Sequence, residues 1–177
     1  MLNKNTSGKI RRFLHEAREL ASLNERSSIV DIEPEGDPPT AFQVTVNCRG
    51  VCNNPAEDEE FNLVEVTTHR FRMSLGHLFP SAPPEIQWET SIFHPNFNGN
   101  EVCLGDLWAG TDSLSDLVVN IVHMVQYKEF NVADPLNRKA ADWVRAKLDQ
   151  DLFPLDNRPV VDLDFDMAVV RRKNTDN

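Results

Sequence analysis

The sequence predicts an α/β domain of the α+β type, in which an N-terminal helix precedes a four-stranded antiparallel meander and helices close the fold. Apolar residues recur at helical spacing from Ile10 to Ala21, short β-type runs follow, and a second amphipathic stretch starts after Ser113. The 177 residues, 40% of them apolar, can bury one sizeable core without requiring a second domain. We therefore expect one domain followed by a tail.

The first predicted helix is amphipathic and carries a basic face. Thr6 or Ser7 is its expected N-cap. Its apolar positions are Ile10, Phe13, Leu14, Ala17, Leu20 and Ala21. Its basic residues are Lys9, Arg11, Arg12 and Arg18. Such a face is either simply solvated or a surface on which a partner docks.

Three β-type runs follow this helix. They lie at residues 29–32, 42–46 and within 61–75, and they predict an antiparallel meander. Residues 48–60, between the second and third runs, carry glycine, asparagine and proline and an acidic run at 57–60, so we predict a loop there. Its acidic tip is solvated or contacts a basic partner.

Two further helix starts can be read from capping patterns. Ser113 with Asp116 forms a capping box, and the following apolar stripe is expected to lie in the core. Asp134 precedes Pro135, which is how a third helix would begin, with the aspartate as N-cap and the proline at the first helical position.

Composition excludes several classes of protein. The net charge of −10 argues against a nucleic-acid partner, because phosphate contacts need clustered cations. Neither a membrane span nor a signal peptide is apparent in the sequence. We therefore expect a cytoplasmic location and no membrane partner. Three cysteines, an odd number, fit a reducing compartment better than a disulfide framework. Cys48 and Cys52 lack partners at zinc-binding spacing, so no metal site is expected.

Residues 91–107 are the most informative stretch. Pro95 fixes one backbone dihedral and Asn98-Gly99 supplies a second reversal, which can bring Asn96 close to the sulfur of Cys103. An asparagine amide held there could donate to the oxyanion that forms when an amine attacks a thioester. Cys103 is thus a candidate carrier of an acyl group, with His94 bracing the turn.

Four motifs in this order resemble the ubiquitin-conjugating enzyme family. His94-Pro95-Asn96 followed by Val102-Cys103-Leu104 is similar to the family's signature. Phe79-Pro80 with Pro83-Pro84 is similar to its aromatic-Pro-x-x-Pro-Pro segment, residues 131–137 resemble its Asn-x-x-Asp-Pro-Leu-Asn segment, and a tryptophan, Trp108, lies between. The resemblance implies a ubiquitin-conjugating-enzyme-like catalytic domain over residues 1–148 and a C-terminal extension over 149–177.

The resemblance also implies an activity. Cys103 would accept a ubiquitin-like modifier as a thioester from an activating enzyme and transfer it to an amine of a protein substrate. Asn96 would stabilise the oxyanion, Asp134 would orient the incoming lysine, and His94 and Pro95 would support the site. The activating enzyme would dock on the basic face of the first helix. No cofactor is implied, since that enzyme consumes the ATP.

Two alternatives stay open. A non-catalytic module of the same fold would bind a ubiquitin-like protein without conjugating it, although such variants typically lack the cysteine. A cysteine hydrolase would need a cationic histidine beside Cys103, whereas Glu101, Asp106 and Asp134 would surround the sulfur with negative charge.

Three departures from the family pattern indicate a divergent member. The gap from Asn96 to Cys103 is one residue short, and Trp108 follows early with Ala109-Gly110 in place of a proline. Ser81 replaces the phenylalanine that contacts RING-type ligases, which makes such a ligase doubtful. One hypothesis is a prokaryotic ubiquitin-like conjugation system with a role in antiviral defence.

The extension has a pattern of its own. Apolar residues alternate with aspartates over residues 161–167, which predicts an edge strand. That strand would pack on the domain itself or pair with a partner chain.

Overall fold

The computed structural model describes residues 4–54, 62–105 and 108–162. Helix α1 spans Lys4–Arg26, so it begins before Thr6 and Ser7, and neither of these residues is its N-cap as predicted. Phe13, Leu20 and Leu23 are buried. Leu14 is 39% exposed, because the face that reaches the core is narrower than the apolar spacing predicted.

The main sheet has four antiparallel strands, which confirms the predicted meander. The strands are β1 (Val30–Gly36), β2 (Pro39–Val46), β5 (His69–Ser74) and β6 (Glu85–Trp88), in the spatial order β1-β2-β5-β6. Their register pairs Ile32 with Val44, Val44 with Phe71, and Phe71 with Trp88. These four side chains are buried, so one face of the sheet forms a wall of the core.

An additional hairpin lies between β2 and β5, where the sequence predicted a loop. Strands β3 (Gly50–Asn53) and β4 (Leu63–Val66) pair antiparallel, with Cys52 opposite Val64. The loop prediction is therefore wrong for residues 50–53. Gly50 lies in this strand because it pairs with Val66, and a glycine is needed there because a Cβ would lie 2.9 Å from the His69 ring. The acidic run at 57–60 lies outside the described residues.

Helix α2 (Leu114–Val125) runs through the centre of the core. Ser113 is its N-cap as predicted, and the Asp116 amide donates to the serine hydroxyl at 3.1 Å. The first amide of the helix, that of Leu114, donates to the carboxylate of Glu16 at 2.7 Å, although Glu16 is fully buried on α1. That carboxylate also pairs with Arg12 at 2.5 Å within α1, so the same glutamate holds an ion pair of α1 and the first amide of α2.

The last helix begins later than predicted. Helix α3 (Arg138–Lys147) has Asn137 as its N-cap, so Asp134 does not cap a helix. The Asn137 amide donates to the carbonyl of Pro95 at 3.0 Å, and this contact places the start of the helix beside the turn at residues 94–96. A 3₁₀ turn (Leu148–Gln150) follows. Residues 153–162 then pack on the domain, and Val160 is buried.

Candidate active site

A short hairpin positions Cys103. Strands β7 (Phe97–Asn98) and β8 (Glu101–Val102) pair antiparallel, and Gly99 adopts a φ of +60° at the reversal. The Cys103 amide donates to the main-chain carbonyl of Asn96 at 2.8 Å, and the Asn96 side-chain amide donates to the Cys103 carbonyl at 3.2 Å. Despite the shortened gap, the asparagine therefore lies directly against the cysteine, whose thiol is free and half-buried.

The other end of the Asn96 side chain holds a second segment. Its oxygen accepts a hydrogen bond from the Asn131 amide at 2.8 Å. The side-chain oxygen of Asn131 in turn accepts from the amides of Ala133 and Asp134, both at 3.0 Å. Hydrogen bonds thus run from Cys103 through two asparagines to the backbone of Asp134, whose side chain is exposed.

His94 is buried beneath the turn. Its Nδ1 accepts a hydrogen bond from the Asn96 amide at 3.1 Å, and its Nε2 lies 3.2 Å from the carbonyl of Glu129. These partners require a neutral ring protonated on Nε2. Burial lowers the pKa of His94 to about 3, which agrees with that state. Both ring nitrogens are occupied, so His94 cannot act as the base that a cysteine hydrolase requires.

An aromatic cluster that sequence reasoning missed supports the turn from below. Tyr127 is buried, its hydroxyl donates to the carbonyl of Phe93, and burial raises its pKa. Its ring stacks on Phe153 at 5.2 Å and meets His94 edge-on at 4.5 Å. The one available signal was that Tyr127 is the single tyrosine of the chain.

A cleft of about 220 Å³ opens beside Asn96. Leu104, Met124 and Phe130 give it apolar walls, while Glu129 and Asn131 give it polar ones. An apolar stem with a polar tip fits such a lining. The cleft therefore opens onto the Asn96 side of the site.

The remaining motif residues meet on another side of the molecule. The Trp108 indole donates to the carbonyl of Pro80 at 3.1 Å, and its ring lies 5.5 Å from that of Phe79. Ser81 is exposed there, and Leu78 beside it is 58% exposed.

The four basic residues of α1 differ in their surroundings. Arg12 pairs with Glu16 and donates to the carbonyl of Asp112 at 2.6 Å, so it joins elements of the fold. The Lys9 amine donates to the carbonyl of His77 at 2.9 Å. Arg11 and Arg18 are exposed.

The two other cysteines differ from Cys103. Cys48 is buried, and burial raises its pKa to about 12, which makes it a poor nucleophile. Cys52 is half-buried on β3. Within the described ranges, no three His, Cys, Asp or Glu side chains are grouped so that they could hold a metal ion. Nor is any helix in those ranges long and apolar enough to cross a membrane.

Comparison with known proteins agrees with this geometry. The family model described as "Ubiquitin-conjugating enzyme" matches residues 19–153. The chain belongs to the ubiquitin-conjugating enzyme family. It is 35% identical to the NEDD8-conjugating enzyme UBC12 of Eremothecium gossypii over 78 residues, 41% of each chain. It is 32% identical to the SUMO-conjugating enzyme UBC9 of Caenorhabditis elegans over 78 residues, 41% of this chain and 46% of that one.

A solved structure shows the same fold. Ubc12 of S. cerevisiae superposes with a TM-score of 0.57 at 22% identity, over 76% of this chain and 71% of the other. The sequence matches to the two relatives above span less than half of the relatives' length. Those relatives are named for different modifiers, so this family member's modifier is not identified by them. A prokaryotic source and an antiviral role stay predictions.

Proposed function

We propose that this family member is a conjugating enzyme that carries a ubiquitin-like modifier as a thioester on Cys103. The observation that carries the proposal is the contact of the Asn96 amide with the Cys103 main chain at 3.2 Å, beside a half-buried free thiol. This arrangement suits a carrier, because it provides a polar donor at the main chain of the cysteine and no histidine base.

The proposed reaction has two acyl transfers. The Cys103 sulfur attacks the carbonyl carbon of the modifier's C-terminal thioester on the activating enzyme, whose thiol leaves and takes up a proton. A substrate amine then attacks the new thioester, so that a C–N bond forms, the C–S bond breaks, and the amine proton is released. Asn96 donates to the oxyanion of this second step, and Asp134 orients the amine.

Asp134 suits this task because its carboxylate is exposed while its backbone is held. The Asn131 side chain fixes the Asp134 amide, and Asn96 fixes Asn131. The same side chain that contacts Cys103 therefore sets the position of the acidic residue. This coupling supports roles for both residues in the transfer to the amine.

Helix α1 is the proposed docking surface for the activating enzyme. Arg11 and Arg18 are exposed on it, and Lys9 is half-buried at its start. Arg12 was a candidate for the same surface, but its guanidinium is engaged with Glu16 and the Asp112 carbonyl. We assign docking to the other three and a structural role to Arg12.

The test of the proposed function is thioester formation. The protein, a candidate modifier, its activating enzyme and ATP are incubated and compared on reducing and non-reducing gels. Wild type and Cys52→Ala, a matched control at another half-buried cysteine, are expected to form a reductant-sensitive adduct. Cys103→Ser should form a reductant-resistant ester and Cys103→Ala none.

The activating enzyme's own thioester serves as the internal control. An activating enzyme that charges while the wild-type protein forms no adduct would contradict the proposal. The non-catalytic module would then become the better interpretation.

A further inference from the structure

A groove between α1 and β1 exposes apolar side chains. It measures about 130 Å³ and is lined by Ala17, Leu20, Ala21, Ile32, Pro34 and Phe42. Asn24 and Glu25 close the end nearest the C-terminus of α1. The groove has room for one large apolar side chain. Its lining residues, 17–42, are distant in the sequence from those of the candidate active site.

The described chain ends at the entrance to this groove. The Asp162 amide donates to the carbonyl of Arg26 at 2.8 Å, and the Ser28 hydroxyl donates to the Asp162 carboxylate at 2.9 Å. Val160 just before it is buried. Residue 163 therefore starts beside the turn that leads from α1 into β1.

Residues 163–169 have the composition that such a groove accepts. Leu163, Phe165 and Met167 alternate with Asp164 and Asp166, so an extended segment would present its apolar residues on one side. Ile32 lies four residues beyond Ser28 along β1, about 13 Å in an extended strand. Phe165 lies three residues beyond Asp162 and can reach about 10 Å. An extended segment that followed β1 from Asp162 would bring the Phe165 ring level with the groove.

The edge of β1 indicates how an occupant is held. The Val30 amide donates to the Ser27 hydroxyl at 3.1 Å, the Ile32 amide donates to the Asn24 side chain at 2.7 Å, and Pro34 has no N–H. Positions 30, 32 and 34 of β1 therefore offer no main-chain donor to a further strand. An occupant must be held by burial of its side chains, and this disfavours strand addition by a second chain.

We propose that residues 163–169 dock in the groove between α1 and β1, with the Phe165 ring in its apolar cavity. Asp164 and Asp166 then face away from the cavity. Arg18 is exposed on α1 one turn before Ala21 and offers them a counter-charge. The docked segment covers Ala21 and Pro34, which line the groove and are exposed.

Disulfide trapping tests this proposal in the full chain, independently of any conjugating activity. In a Cys52→Ser, Cys103→Ser background, Ala21→Cys is paired with Phe165→Cys or, as the matched control, with Asp164→Cys. Cys48 is buried and stays in place. We expect an intramolecular disulfide with Phe165→Cys to form about tenfold faster than with the control. Equal rates for the two pairs would overturn the proposal, and so would a disulfide between two chains.

Amide hydrogen exchange gives a second measurement without engineered cysteines. Phe165→Asp is expected to speed exchange in residues 17–24 and at Ile32, whereas Asp176→Asn, beyond the proposed docking segment, leaves it unchanged. Unaltered exchange in Phe165→Asp would show that the groove is not occupied by this segment.

Discussion

Asn96 donates its side-chain amide to the main-chain carbonyl of Cys103 at 3.2 Å while its backbone carbonyl accepts from the Cys103 amide at 2.8 Å. The two residues thus form a closed pair at the base of the β7–β8 hairpin. Because the amide oxygen of Asn96 also accepts from Asn131, removing this side chain affects both the proposed carrier cysteine and the segment that bears Asp134.

Asn96→Ala is expected to spare thioester loading and to slow discharge to lysine about 100- to 1000-fold, because the oxyanion loses its donor. The free energy of unfolding should fall by about 1–3 kcal/mol, since the Asn131 amide loses its partner. Single-turnover discharge of preformed thioester measures the first effect. Asn98→Ala, on the exposed side of β7, is the matched control.

Asn96→Asp separates the two roles of this side chain. It keeps an acceptor for the Asn131 amide but replaces the donor to the Cys103 carbonyl with an oxygen, so stability should return only in part while discharge stays slow. Discharge as fast as that of wild type in both variants would remove Asn96 from the mechanism.

The part of the site that could be predicted from the sequence is local. The approach of Asn96 to Cys103 follows from two turns only a few residues apart, and the Ser113 cap follows from a three-residue spacing. Asp134 and Asn137 are comparably good N-caps by residue type. In the structure Asn137 caps α3, and its amide is hydrogen-bonded to the carbonyl of Pro95, which is distant in the sequence. Such long-range contacts have no signature in a single sequence.

Two other features depend on tertiary packing in the same way. Gly50 and Asn53 are typical of loops, and they form a strand because residues 63–66 pair with them. Glu16 stands in a helix whose apolar spacing gives no hint of a buried carboxylate. It is buried because the first amide of α2 and Arg12 both meet it.

Asp134→Asn is expected to slow discharge to lysine without changing stability by more than about 0.5 kcal/mol, because the exposed side chain caps no helix. Asn137→Ala provides the contrast. It removes the true cap of α3 and should lower the free energy of unfolding by about 1 kcal/mol. Lysine discharge and chemical denaturation, measured on both variants, distinguish the roles. A destabilised Asp134→Asn with normal discharge would contradict this assignment.

Arg18→Glu is expected to slow loading from the activating enzyme about tenfold at low ionic strength and less at high salt, because exposed charges act mainly by steering association. Discharge of preformed thioester should be unchanged. Lys139→Glu, an equal charge reversal at an exposed site on α3, is the control. If both reversals slow loading equally, the effect is one of net charge and α1 is not the docking surface.

Glu16→Ala is expected to lower the free energy of unfolding by about 3–5 kcal/mol, because it leaves Arg12 without its partner and the first amide of α2 without an acceptor. Glu16→Gln keeps an acceptor for that amide and should cost less. Glu19→Ala, at an exposed position of the same helix, should change stability by no more than about 0.5 kcal/mol. Urea denaturation of the three variants gives the comparison, and a small effect in Glu16→Ala would show that the buried pair is dispensable.

The buried histidine makes stability depend on pH in a defined window. In the folded state the pKa of His94 is lowered from 6.5 to about 3, so below pH 6.5 the unfolded chain binds a proton that the folded chain excludes. Stability is therefore fully present above pH 6.5 and falls as the pH drops towards 3. Between pH 7.5 and 5 the loss from His94 alone should be about 2 kcal/mol. Burial also lowers the pKa of His69, which adds to the loss in the same direction.

Urea denaturation at pH 7.5, 6 and 5 measures this dependence. His94→Gln should reduce the slope of the free energy of unfolding against pH by the contribution of one titrating group. Asp156 does not interfere in this range, because its pKa is lowered from 3.8 by its hydrogen bonds with Arg158 and it titrates only at more acidic pH. Should His94→Gln fail to fold, nitrogen chemical shifts of the wild-type ring give the answer. They are expected to report a neutral ring protonated on Nε2 down to pH 5, and a ring that protonates near pH 6.5 would contradict the buried, doubly bonded His94.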